Sequence, residues 1–323
     1  MYNFVIPDED PGGLQVTQIT DVDLAWKAFQ DGKWCWTLQS YLILREYMSG
    51  LTVSREPIQG AINLVHGGHV TEFTPRADLF LVCLQADYRR CPWAQIHIVQ
   101  NQKQVLRSSD YYVPHWPQPG LVARCPNRNG VRCVAFAGRG YYLAGGESRW
   151  TDETGGRGFE FKHMDPSNWN DFSGVDIVIG IRSFDGQTYD TKPPSKLINA
   201  WHAGTPFVGG HDSAFKQIGT PTEDYYVVTT QEEACDVIAD LARNTSQYAR
   251  IVQKGFDQAK QYSRHAIAQR WVDLLKGPID IRYSQWTKRG VCASWHAAVN
   301  AKYAYARQEL GRLWRHLKKS QAS

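Results

Sequence analysis

Short apolar runs, bounded by polar and turn-forming residues, alternate along the chain with stretches whose apolar residues recur every three or four positions. The first pattern suits strands and the second amphipathic helices, so their alternation predicts an α/β chain with parallel sheets. In the first half, strands are expected at residues 2–7, 62–66, 79–84, 96–101 and 111–113. Helical segments are expected at 21–29 and 37–48, with Gly32 and Gly50 as stops. The second half repeats the series, with strands at 133–137, 159–162, 176–181, 206–208 and 225–228. Helices follow at 195–203, 232–243, 246–262 and 266–275, with Ser246 and Ser263 as N-caps. The run at 176–181 is nearly continuous in apolar side chains, as suits a strand covered on both faces.

Between the two series lies His115-Trp-Pro-Gln-Pro-Gly-Leu121, whose prolines lack amide donors and exclude regular structure. The sequence therefore divides into an N-terminal unit (1–114), a stiff linker (115–126), a second α/β unit (127–276) and a C-terminal extension (277–323). The extension carries a long helix candidate at 293–319, with Tyr303, Leu310, Leu313 and Leu317 at helical spacing.

Charge is unevenly spread. From Lys276 onward there are ten Lys and Arg against two Asp and Glu, a local charge of +8, so the rest of the chain carries −4 of the net +4. Such a tail suits an anionic partner (lipid headgroups, acidic subunits or nucleic acid), although a solvated helix face accounts for the same charges. No nucleic-acid recognition motif is present, which argues against that partner. With 42% hydrophobic and 21% charged residues, the composition is that of a soluble globular protein. No apolar run is long enough to span a bilayer, and the first residues lack the basic-then-apolar pattern of a secretory signal. The seven cysteines form no C-x-x-C pair, so neither a zinc site nor a disulfide framework is expected, and a cytoplasmic location is.

Three segments could carry chemistry. The first strand runs into Pro7-Asp-Glu-Asp-Pro-Gly-Gly13, where Gly12 and Gly13 would let the backbone approach a phosphate or sugar and the acids offer a base. An ordinary acidic turn reads equally well. Phe136-Ala-Gly-Arg-Gly140 repeats the arrangement, with Gly138 for a tight turn and Arg139 as a cation for diphosphate oxygens. The most informative segment is Asp176–Gly186 with Tyr189–Pro206. Here a buried strand delivers Arg182 and Ser183 to its carboxyl end. A Pro-Pro-Ser start opens a helix whose free amides and dipole favour an anion, and Lys192 and Lys196 flank it. A surface helix with two solvated lysines is the plainer alternative.

The stretch K-P-P-S-K-L-I-N-A-W-H-A-G-T-P at 192–206 resembles the donor-binding region of GT-B glycosyltransferases, which often carry an xKL-x-(N/E)A-x-AGxP-like sequence there. F-A-G-R-G resembles the loop those enzymes place beside the diphosphate, and P-D-E-D-P-G-G resembles their N-terminal glycine-rich loop. The motifs span residues 2 to about 275. Tyr189-Asp-Thr, Ser195-Lys196-Leu197 and Ala203-Gly204 are also similar to the fucosyltransferase donor motif, except that Ser195 stands where that motif has Glu.

The resemblance implies two facing Rossmann-like domains, with the donor in the C-terminal one, the acceptor in the N-terminal one and chemistry between them. It further implies that Arg139, Arg182, Lys192, Lys196 and Ser195 hold the diphosphate of a UDP- or GDP-sugar, with Asn199 at the nucleotide or in packing. The nucleotide sugar is then a co-substrate, and neither cofactor nor metal is expected. Around His211-Asp-Ser-Ala-Phe215 the glutamates of the E-x7-E motif of many retaining members are absent, which tilts the expectation toward inversion. Inversion needs a base on the acceptor side. Asp8, Glu9, Asp10, His66 and His69 are candidates, His115 and His202 are further possibilities, and Asp10 and His66 are preferred. The expected activity is hexosyl or deoxyhexosyl transfer to a hydroxyl acceptor, with the basic tail on an anionic membrane. A nucleotide-sugar epimerase, a phosphorylase of the same shape and a non-catalytic nucleotide-sugar binding subunit are the alternatives.

Overall fold

The computed structural model describes residues 1–6, 18–289, 299–300, 302–307 and 310–311. Two sheets organise them. The first comprises β1 (Tyr2–Val5), β2 (Leu51–Ser54), β3 (Ile62–His66), β4 (Phe80–Leu84), β5 (Ile96–Val99) and β6 (Asp110–Tyr112), in the order β2-β1-β3-β4-β5-β6. The second comprises β7 (Cys133–Ala137), β8 (Glu160–Met164), β9 (Ile177–Gly180), β10 (Phe207–Gly209) and β11 (Tyr226–Val227), in the order β11-β10-β9-β7-β8. Every pairing is parallel. A parallel sheet with helices on both faces needs apolar side chains on both, and β3, β4 and β9 are buried at every position. Strand order reverses between β1 and β3 in the first sheet and between β7 and β9 in the second. Such reversals open a crevice at the carboxyl ends of the strands, where open α/β sheets take ligands.

The helices are α1 (Gly32–Trp34), α2 (Ser40–Leu44), α3 (Gly146–Gly155), α4 (Ser195–Ala203), α5 (Ser213–Ile218), α6 (Gln231–Arg243), α7 (Thr245–Gln261), α8 (Arg264–Leu274) and α9 (Asp280–Thr287). A π turn at Cys35–Gln39 fuses α1 to α2, and another at Leu275–Ile279 fuses α8 to α9 and accommodates Pro278. No helix among the described residues is long and apolar enough to cross a membrane.

Several local expectations fail for identifiable reasons. Gly32 opens a helix instead of stopping one, because the Asp31 carboxylate accepts the Lys33 amide at 3.0 Å and caps it. The segment before it forms only a 3-10 turn at Trp26–Phe29. Helix α7 is capped by Asn244, whose side chain accepts from the Gln247 amide at 3.0 Å, and not by Ser246. The expected helix at 293–319 lies mostly outside the described residues, although 302–307 are helical.

The two carboxyl edges face one another. Beyond β5, Gln100 and Asn101 donate to the carbonyls of Thr191 and Lys192 at 2.8 and 3.0 Å, and Asn101 reaches the Ser213 hydroxyl at 3.0 Å. The linker is tied to the first unit by Trp116 Nε1, which donates to Ser40 Oγ at 2.9 Å. The chain then crosses back. In α8, which the sequence groups with the second unit, Trp271 stacks on Trp116 at 6.5 Å and lies 6.1 Å from Trp36 of the first. Helix α9 continues along the first sheet, where Tyr2 donates to Asp280 at 2.7 Å and Tyr283 and Trp286 meet Phe80 edge-on.

Candidate functional site

One wall of the cleft is the start of α4. Pro194 precedes it without a capping side chain, so the first-turn amides have no side-chain partner. Leu197, Ala200 and Trp201 bury its inner face, and Gly204 ends it in the left-handed region at φ +69°. With that face fixed, Ser195, Lys196 and Asn199 line a cavity of about 190 Å³ together with Gly138. Its far side is made by Phe29 and Cys35 of the first unit and by His115 and Trp116 of the linker.

Lys196 is unusual. Its ammonium donates to the Ala137 carbonyl and lies 4.4 Å from the Phe136 ring centroid. Burial, reinforced by the Arg182 charge and opposed by Asp212, pulls its pKa down to about 7. Gly138 sits at φ +144°, and a Cβ there would run into the Lys196 amine. The backbone conformation therefore favours glycine at the end of β7, and a side chain there would displace the Lys196 amine.

Arg182 leaves the carboxyl end of β9 and donates through Nε to Asp212 Oδ2 at 2.7 Å. Burial raises the Asp212 pKa although Arg182 and Lys196 oppose the rise, and its Oδ1 is buried without a partner among the described residues. Tyr142 divides the cations, with Arg182 at 5.2 Å and Lys192 at 5.0 Å from its ring centroid. Lys192 pairs with Asp87 of the first unit at 2.5 Å. One ion pair thus bridges the two units across the cleft.

The remaining sequence candidates fall in varied places. Asp10, Gly12 and Gly13 lie outside the described residues. Arg139 is exposed beside Gly138. The Ser183 hydroxyl donates to Asp185. Asn199 Oδ1 accepts the Gln118 amide at 3.0 Å, so it holds the linker as well as lining the cavity. His66 ends β3, buried edge-on against Tyr88, with Nδ1 accepting the Gly68 amide at 3.3 Å. Burial pulls its pKa to about 4, and its Nε2 has no partner among the described residues. It is not among the residues lining the cavity. Sequence reasoning missed Asp87, Tyr142 and Asp212. The first two follow strand ends in plain Gln-Ala-Asp and Gly-Tyr-Tyr contexts, and only the fold brings them to the lysines.

No protein-family model and no curated protein sequence matches this chain. Solved structures resemble it in fold. Sucrose-phosphate synthase from Thermosynechococcus elongatus aligns with a TM-score of 0.50 and 12% identity, over 68% of this chain and 74% of its own. TarM aligns at 0.49 and 10% identity over 66% of this chain and 54% of its own, so this chain spans about half the length of TarM. HepE from Anabaena, crystallised with UDP-glucose, aligns at 0.45 and 11% identity over 61% of this chain and 72% of its own. At such identities the likeness carries the fold alone. Together with the two parallel sheets joined edge to edge across a cleft, it makes the architecture the two-domain GT-B fold found in glycosyltransferases.

Proposed function

We propose that the chain transfers a hexose or deoxyhexose from a UDP- or GDP-sugar to a hydroxyl acceptor. The observation that supports this best is the convergence, where β7 and β9 part, of an uncapped helix start, a buried lysine and a glycine in the left-handed region against that lysine's amine. Uncapped amides and a cation of low pKa in one cleft suit a diphosphate, whose charge would restore the lysine proton. In this reading Lys196, Ser195 and the α4 amides hold the phosphates, Arg182, Lys192 and Arg139 complete the charge, and Gly138 lets the sugar approach the backbone. Gly12, Gly13 and Ser183 would close the site around the donor. The leaving diphosphate is neutralised by protein cations without a metal, and inversion is favoured.

The test is a thermal-shift screen against UDP, GDP, dTDP, ADP and their sugars. One nucleotide family should raise the midpoint as its concentration exceeds Kd. No stabilisation by any of them would sink the reading. Turnover of the sugar nucleotide without an acceptor would identify an epimerase, and tight binding without any turnover a binding subunit.

The same proposal places the chain in the cytoplasm, with its basic segment beyond Lys276 on an anionic membrane. Sedimentation with vesicles containing anionic lipid, lost in high salt or on truncation before Ala293, is the expected result. Absent or salt-insensitive sedimentation would remove the membrane from the proposal.

A further inference from the structure

The cavity beside Lys196 is lined by a histidine whose chemistry is set by its neighbours. His115 lies in the linker and lines the cavity opposite Ser195 and Lys196. Its Nδ1 is 3.0 Å from the carbonyl oxygen of Trp116. A carbonyl can only accept, so Nδ1 carries the proton and Nε2 carries the lone pair. Trp36 packs against the ring edge-to-face at 5.6 Å and 87°, which fixes its plane. Nε2 has no hydrogen-bond partner among the described residues, nor is it one of their sealed polar atoms.

The cavity's other ionisable groups do not compete. No aspartate or glutamate lines it among the described residues. The Cys35 thiol is engaged with the Phe29 carbonyl at 3.2 Å, and burial raises its pKa to about 12. Lys196 would be held protonated by the donor phosphates. Burial lowers the pKa of His115 against the weaker pull of the Trp116 carbonyl, which favours the neutral ring with its Nε2 lone pair free.

We infer that His115 is the catalytic base of the proposed transfer, accepting through Nε2 the proton of an acceptor hydroxyl lodged in this cavity. The inference rests on the glycosyltransferase reading and replaces Asp10 and His66 in that role. The acceptor O–H proton passes to Nε2 while its oxygen bonds to the anomeric carbon. The bond from that carbon to the β-phosphate oxygen breaks, and the nucleoside diphosphate leaves with the electron pair. The products are the inverted glycoside, the diphosphate and an imidazolium that returns its proton to water.

The experiment measures nucleotide stabilisation and nucleoside diphosphate release from the matching sugar nucleotide, with water as the acceptor, for wild type, His115→Ala and His115→Asn. Asparagine can still donate to the Trp116 carbonyl, so it keeps the tether without the base and decides the matter if the alanine variant is unstable. Both variants should bind nucleotide as wild type does yet release diphosphate about 10²–10⁴-fold more slowly, as loss of a general base predicts. Added imidazole should restore at least tenfold in His115→Ala, and the acid limb of the wild-type pH profile should disappear. Release within threefold of wild type, a retained acid limb or parallel loss of nucleotide binding would overturn the assignment. A wild-type chain that binds no nucleotide would remove the underlying reading itself.

Discussion

Lys196→Met is expected to cut nucleotide stabilisation sharply while making the empty protein more stable. The two effects have one origin, the burial of the ammonium beside Ala137, Phe136 and Arg182. An unfolded lysine titrates near 10.4, whereas Lys196 in the fold titrates at about 7. Between those values the unfolded chain holds a proton that the native chain does not, so stability rises with pH across the window. The penalty is fullest below pH 7. Methionine keeps the length and apolar stem without the charge, and should recover about 1–4 kcal/mol there, by analogy with other buried charges replaced by apolar residues. The gain should shrink toward pH 10. A loss of stability instead would mean that the bond to the Ala137 carbonyl outweighs desolvation.

Nucleotide binding should move the other way. Charge-assisted hydrogen bonds to phosphate contribute about 1.5–3 kcal/mol each, so removing this one should weaken binding roughly 10- to 100-fold. At a concentration of about 100 Kd the wild type gains about 2.7 kcal/mol, and a variant weakened 100-fold gains only about 0.4 kcal/mol. Wild-type affinity should also decline above pH 7, toward tenfold per unit, because the complex must then take up a proton at Lys196. The methionine variant should show no such decline. Calorimetric titration at several pH values reads both effects, and an undiminished affinity in the variant would place the donor phosphates elsewhere.

How much of this was legible in the sequence depends on how local each feature is. Strands β3 and β7 and helix α4 begin and end where the apolar runs and their flanking glycines and prolines place them. Strand β2 escaped because it is a half-exposed edge without an apolar run, and α3 because only Trp150 and Thr154 are buried in it. Gly32 misled because a glycine signals a stop only when no capping residue precedes it, and Asp31 does. Gly138, Ser195, Lys196 and Asn199 meet in one cavity because each belongs to a short motif at a strand end or helix start. Asp87 pairs with Lys192 across 105 residues of chain, and no local pattern reports such a contact. His115 was visible as a further possible base, but nothing local preferred it. Its tautomer depends on the Trp116 carbonyl, and its neighbours Cys35 and Lys196 come from different units.

The second large effect lies at the opposite end of the second sheet, where Asp176→Ala should cost about 3–5 kcal/mol, as expected for breaking a buried charge network. Asp176 precedes β9 and is fully buried. Its Oδ1 accepts from Arg124 and Arg128, both at 2.9 Å, and its Oδ2 accepts from Arg128 at 2.7 Å and from the amides of Arg132 and Cys133 at 2.9 and 3.0 Å. Burial alone would raise its pKa, but Arg128 and the two amides outweigh that and hold it below the usual carboxylate value. Alanine would strand two guanidinium groups and two amides at the amino end of β7 and β9, a loss comparable to a third or more of a stability of about 5–15 kcal/mol. The sign of the pH effect follows from the lowered pKa. The stabilisation is complete above about pH 4, the unfolded carboxylate value, and is lost as pH falls through the lower folded one. Urea unfolding at pH 7 and near pH 3 should therefore separate wild type from the variant by less in acid than at neutrality. Because Arg182, at the far end of β9, and the α4 start remain in place, the fraction still folded should bind nucleotide with wild-type affinity. A cost under about 1 kcal/mol would mean that both arginines regain water when the carboxylate is removed, and that β9 is held by its apolar neighbours alone.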